Sequence, residues 1–200
     1  MKALIIIPML ALMAAMPGHR EQTFKWVVQQ GCNLKVAGKT NINKFNCEVR
    51  EYSKPDTISF YHSEPNSSAV PLSGELSIPV ASFDCFNSMM TSDLRKSLKS
   101  KQFPHLKIRF LSFKRLPSLK AAEETISGIV QIDMAGASKK YEVAYRIGRD
   151  DKQIIHLVGA QQIRFSDFNL EAPKKLGGMV KADDELNVEF YINFKTVFCN

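Results

Sequence analysis

Between Leu186 and Lys195 the chain alternates without a break. Leu186, Val188, Phe190, Ile192 and Phe194 share one parity, and Asn187, Glu189, Tyr191, Asn193 and Lys195 share the other. Successive side chains of an extended strand point to opposite faces, so this pattern buries one face and leaves the other mostly wet. The same period of two returns in Phe24, Trp26 and Val28, in Phe45, Cys47 and Val49, in Leu76, Ile78 and Val80, and in Leu106, Ile108 and Phe110. It recurs in Val130, Ile132 and Met134 and in Tyr141, Val143, Tyr145 and Ile147, while a less regular run extends from Ile154 to Phe165. Many separated half-buried strands are the signature of an antiparallel sheet.

The turn signals Ala37-Gly38-Lys39, Glu64-Pro65-Asn66 and Gly148-Arg149-Asp150-Asp151 suggest a meander with short connections. Pro55 and Asp56 precede a short run containing Ile58 and Phe60, which leaves open a bulge or a hairpin there. The strand count is therefore eight or nine. One segment departs from the period: from Ser88 to Ser100, Met90, Leu94 and Leu98 recur every four residues, which predicts a short amphipathic helix ending before Pro104. The expected fold class is all-β, an antiparallel barrel with that helix across one end or over an open seam.

The first residues read differently. Lys2 precedes an apolar run from Ala3 to Met16, too short to span a bilayer, and small or turn-forming residues follow. Residues 1–18 are expected to be a signal peptide and residues 19–200 a single secreted domain, periplasmic in a host with two membranes. Export makes disulfides the natural reading of Cys32, Cys47, Cys85 and Cys199, which show no C-x-x-C spacing. Strand order favours Cys47 with Cys85 and Cys32 with Cys199. A Cys32–Cys47 link across a hairpin turning near Lys39 also fits.

The histidines, at positions 19, 62, 105 and 156, lack metal-site spacing, and no nucleophile motif accompanies them. No enzymatic activity, metal or cofactor is expected. Asp167 suits a turn better than a ligand headgroup. The formal net charge is +7, and Arg95, Lys96, Lys99 and Lys101 cluster on and after the helix, as a solvated face or a point of transient contact with an anionic membrane. Aromatic residues mostly share parity with the aliphatic ones, which argues against a nucleic-acid surface.

Several motifs in order resemble the YceI-like family. Asp93, Leu94 and Leu98 match its helix, Phe103 and Pro104 its aromatic-proline approach to a strand, and Leu106 and Ile108 the strand itself. Ser166-Asp167-Phe168 matches its serine-aspartate-phenylalanine element, and Val180 to Leu186 its closing segment. Two departures stand out. The stretch Ile132 to Lys139 keeps the family's glycine and lysine but not its histidine, and Asn169 replaces a glycine after Phe168. The resemblance implies a lipocalin-like barrel holding a polyisoprenoid, an isoprenoid quinone or a related lipid in its lumen. Residues expected to contact such a ligand are Trp26, Phe60, Ile78, Leu94, Leu98, Ile108, Phe110, Ile132, Tyr145, Phe168, Phe190 and Ile192. The alternative is a barrel filled by its own side chains that docks a protein or polyanion through its surface. A homodimer is compatible with either.

Overall fold

The structure is a computed structural model that describes residues 22–61, 69–119, 123–175 and 179–198. The expected signal peptide, His19, His62, the turn at Glu64-Pro65-Asn66 and Cys199 lie outside the described residues. In chain order the strands are β1 Gln22–Val28, β2 Cys32–Thr40, β3 Lys44–Tyr52, β4 Thr57–Tyr61 and β5 Val70–Pro79. The helix α1, Ser88–Ser97, comes next, then β6 His105–Phe113, β7 Glu124–Met134, β8 Ala137–Arg149 and β9 Ile155–Arg164. The short β10, Lys174–Lys175, and the long β11, Val180–Phe198, complete the chain.

Hydrogen-bonded neighbours run β1, β4, β5, β6, β7, β8, β9, β11 and back to β1, a closed antiparallel barrel of eight strands. The ambiguity at Pro55 resolves through a pair of broken strands. β11 pairs with β1 over Phe194–Phe198 and with β2 over Ala182–Tyr191, so β1 and β2 are successive pieces of one path. Gly31, at φ 79°, sits in the break between them. On the neighbouring path β3 pairs with β2 and β4 with β1, and Pro55, which has no N–H to give a ladder, falls in that break. The expected turn at Ala37-Gly38-Lys39 is instead the interior of β2. Gly38 serves packing there, because an added Cβ would sit 2.3 Å from the Phe45 ring. The chain reverses at Asn41 to Asn43, where Thr40 Oγ1 accepts from the Asn43 amide at 2.9 Å.

The barrel wall has a seam. β4 and β5 pair only from Ile58 to Phe60, and beyond them β3 meets the chain after β5 through a single bridge, Glu48 to Asp84. A disulfide between Cys47 and Cys85 clips the same place, in agreement with the first expected pairing. α1 begins immediately afterwards. The Asn87 side chain caps it by accepting from the Met90 amide at 3.0 Å, and Thr91 Oγ1 accepts from the Cys85 amide at 3.0 Å. Arg95 reaches back from the last turn to the Phe83 carbonyl at 3.1 Å. The helix ends three residues before the expected Ser100, as Lys99 turns left-handed at φ 51°.

Leu94 of α1 and Leu98 at its end are buried in the core, and Leu94 shares the lining of a small cavity with Phe165. One end of the barrel is stoppered by aromatic rings. Trp26 stands 4.5 Å from Phe60, 5.4 Å from Phe194 and 6.1 Å from Phe113, and Phe113 stands 5.7 Å from Tyr145. All five are essentially inaccessible to water.

Candidate ligand-binding lumen

Between the aromatic stopper and the helix-covered end lies a small apolar cavity of about 60 Å³. Strand parity builds it. Leu76 and Ile78 come from β5, Ile108 and Phe110 from β6, Val130 and Ile132 from β7, and Val143 and Tyr145 from β8. Ile163 of β9 and Val188, Phe190 and Ile192 of β11 close the circle, with Leu34 of β2 and Val49 and Tyr52 of β3. The pairing registers of Ile108 with both Leu76 and Ile132, and of Phe110 with Val130, set these residues at matching depths. Eight strands make an interior wide enough for side chains or one slender guest.

Of the residues expected to meet a ligand, Ile78, Ile108, Phe110, Ile132, Tyr145, Phe190 and Ile192 line this cavity. Trp26 and Phe60 belong to the stopper, while Leu94, Leu98 and Phe168 are buried in the core and do not line this cavity. Parity in sequence tells which face a residue joins but not its height in the barrel, and height separates cavity lining from stopper and cap. The lining residues not foreseen are Leu34, Val49, Tyr52, Leu76, Val130, Val143, Ile163 and Val188, together with Cys32, Asn33 and Gln161. Most of these stand on alternating strands, so parity was the available signal; Leu34 was obscured by the apparent turn at Gly38.

Two polar atoms make the interior chemically uneven. The Tyr145 hydroxyl and the Trp26 indole N–H are buried without a hydrogen-bond partner among the described residues. Burial pushes the Tyr145 phenol well above its ordinary pKa, so it stays protonated and able to donate. Phe190 lies flat over Gly159, where a Cβ would meet its ring at 2.3 Å. Ile108, Ile132, Val188 and Phe190 retain partial accessibility although they face the lumen.

Nearby polar groups are structural. Asp167 takes a hydrogen bond from Tyr141 Oη at 2.9 Å and an ion pair from Lys139 at 3.1 Å, which holds its carboxyl below the usual range and ties β8 to the turn at Ser166–Phe168. Asn169 closes that turn at φ 54°, a left-handed conformation that asparagine tolerates in place of glycine. His105 is exposed, and His156 bonds Asn193 at 2.7 Å and Asp150 at 3.2 Å. Among the described residues no cluster of histidine, cysteine and acidic side chains could hold a metal.

Cys32 is a free, buried thiol, which donates to the Gln29 carbonyl at 3.1 Å and accepts from the Asn193 amide at 3.2 Å. Burial raises its pKa. Its expected partner, Cys199, lies outside the described residues.

These elements make a closed antiparallel barrel with a small apolar cavity inside it and one helix beside its seam. A family model described as the YceI-like domain matches residues 17–194, and the chain belongs to that family. Among solved structures it is similar to Burkholderia cenocepacia BcnA, at 16% identity and TM-score 0.58, covering 81% of this chain and 95% of that one. It is also similar to a polyisoprenoid binding domain from Saccharophagus degradans implicated in plant cell wall breakdown, at 10% identity and TM-score 0.61, covering 88% and 99%. A Campylobacter jejuni YceI protein matches at 17% identity and TM-score 0.50, covering 68% and 79%. At these identities the likeness is one of fold. No curated relative matches by sequence.

Proposed function

We propose that the barrel is an exported carrier that holds the apolar chain of a polyisoprenoid, an isoprenoid quinone or a similar lipid in its lumen, without catalysing a reaction on it. The observation that carries this reading is the apolar cavity at the barrel's waist, whose half-accessible lining includes Ile108, Ile132, Val188 and Phe190. Family membership supports it, as does the similarity to the polyisoprenoid binding domain from Saccharophagus degradans. The cavity of about 60 Å³ is far smaller than the volume of a lipid chain, so loading one requires its walls to move. Phe190, resting on a glycine, and the unbranched end of Ile108 are the side chains best placed to rotate aside.

The test is lipid content. Wild-type protein from its native host, Phe110→Ala and the outward control Lys107→Ala are extracted with organic solvent and analysed by mass spectrometry, after circular dichroism has shown each to be folded. Phe110 is buried against the cavity, and its loss enlarges the lumen at a stability cost of about 3 kcal/mol, since part of the space is already empty. Lys107 pairs with Glu75 on the outer wall, and Arg109 keeps that carboxylate paired when the lysine is gone. Phe110→Ala is expected to change the amount or length of bound lipid severalfold while Lys107→Ala matches wild type. No extractable lipid in any of the three would favour the filled barrel that docks a protein or polyanion instead.

Export is part of the same proposal. The apolar run at Ala3–Met16 suits a signal peptide, and the Cys47–Cys85 disulfide suits an oxidising compartment. Intact-mass measurement on protein from the native host is expected to show a chain beginning near residue 19. A mass that retains the run would exclude cleavage.

A further inference from the structure

The barrel's helix-bearing end differs from the rest of its surface. The β2–β3 turn carries Ile42 into solvent at 63% exposure, and beside it, joined through the Asn41 amide to its carbonyl at 2.8 Å, is Met179 at 71%. Across from them the start of α1 presents Phe86 and Met89, both more than half exposed. These four are most of the large apolar side chains exposed on the described residues, and the chain neighbours of three of them, Asn87, Met90 and Val180, line a cavity of about 160 Å³ with Phe45 and Leu94. Phe86 is held out at φ 58°, a backbone conformation that bulky residues rarely adopt, with the Arg50 guanidinium 5.0 Å from its ring.

Charge surrounds the same residues. Lys39, Lys44 and Lys181 flank Ile42 and Met179 in sequence, Lys96 lies in the last turn of α1, and Lys99 and Lys101 follow just after the helix. All six are exposed and form no ion pair among the described residues. An open groove of about 1130 Å³ runs along the outer side of the helix from Phe86 to these last lysines. Several acids of this end are already engaged: Glu48 and Asp84 by Arg50, Asp167 by Lys139 and Glu171 by Lys174. Apolar side chains projecting among unpaired lysines match the interface of an anionic bilayer, where methyl and thioether groups enter the acyl boundary while ammonium groups stay at the phosphates. A soluble protein partner would call for a flatter apolar patch with its charges at the rim.

We propose that the helix-bearing end of the barrel is a docking surface for anionic lipid bilayers, with Met89 and Met179 inserting and the lysines of α1 and of the β2–β3 turn held at the headgroups. The surface stands apart from the reading of the lumen, because binding to a vesicle is measured whether or not a lipid chain enters the barrel.

The closed ring lies within residues 22–198, so a chain of residues 19–200 contains the whole barrel and is free of the apolar leader. Its co-sedimentation is measured with phosphatidylcholine vesicles with and without phosphatidylglycerol, at low salt and at 1 M salt, where the Debye length is only ~3 Å. Binding is expected to the anionic vesicles alone and to be lost at high salt. Replacing Lys96, Lys99 and Lys101 together by Gln is expected to lower the partition coefficient about a hundredfold, at about fivefold per lysine. Met89→Ser with Met179→Ser is expected to lower it about tenfold or more with no change of charge. Arg149→Gln, Lys152→Gln and Lys195→Gln, an equal charge change away from this end, should leave it near wild type, and thermal melting confirms that each variant is folded. No binding to anionic vesicles overturns the proposal. So does an equal loss from the distant triple variant, or binding to duplex DNA as tight as to vesicles with the methionine variant unaffected in both.

Discussion

Replacing Trp26 with alanine is expected to lower the free energy of unfolding by about 3–5 kcal/mol, the range for deleting a large buried aromatic side chain. Trp26 is wholly inaccessible and stands within ring-contact distance of Phe60, Phe113 and Phe194. Its indole N–H has no hydrogen-bond partner among the described residues, so the loss is one of packing and not of a polar bond. The ring joins opposite walls, because β1 is the strand that meets both β4 and β11 and so closes the barrel. For a domain of this size a loss of 3–5 kcal/mol lowers the melting temperature by about 6–20 °C. Urea unfolding followed by far-ultraviolet circular dichroism measures it, with Trp26→Phe as the milder variant. A loss below about 1 kcal/mol from Trp26→Ala would show that the aromatic stopper does not hold the barrel shut.

Removing the Cys47–Cys85 disulfide, by substituting both cysteines with alanine, is expected to cost up to about 4 kcal/mol. The loop it closes spans 38 residues and includes the weakly paired strand β4 and the edge of β5. Its native-state effect should be local. Besides the disulfide, β3 and the segment leading into α1 share the Glu48–Asp84 bridge and the exposed contacts of Arg50 with Asp84 and Phe86, so the helix should loosen before the sheet does. Hydrogen exchange is expected to speed at the amides of Cys85, Thr91 and Leu98 while those of β7 and β8 keep their protection. Uniform acceleration through all the strands would instead place the disulfide's contribution in the global stability of the barrel.

The alternation from Leu186 to Phe194 was enough to define β11, because its apolar parity is the lumen face for its whole length in the wall. The helix was equally legible, since an extended chain would put polar Ser92 and Lys96 on the same face as Met90, Leu94 and Leu98, whereas a helix gathers the three apolar residues on one side. What the sequence hid were the breaks. β1 and β2, and β3 and β4, are paired pieces of two long paths, and only the register against β11 reveals that Gly31 and Pro55 interrupt them without ending them. Gly38 looked like a turn because glycine commonly permits one, yet here it makes room for the Phe45 ring. The site was legible to the same depth. Parity assigned Trp26 and Ile132 to one interior, but only the volumes of the rings stacked above and below decide that one closes it and the other faces its cavity.

The strand that seals the barrel also sets the order in which it can be made. β1 stands at the start of the fold, and its partner Phe194–Phe198 is its last described segment, so the contact that completes the ring spans nearly the whole chain. Loop closure of that length is slow, and contacts so far apart in sequence delay folding. A chain emerging N-terminus first, from a ribosome or through a translocation pore, can assemble the meander from β5 to β9 as it appears, but β1 and β9 each keep an unpaired edge until β11 arrives. Such edges are templates for pairing with other chains. The interval before residue 198 emerges is therefore when this protein is most open to aggregation and most in need of a chaperone, and truncations that remove even the last turn of β11 should yield insoluble chains rather than a smaller barrel.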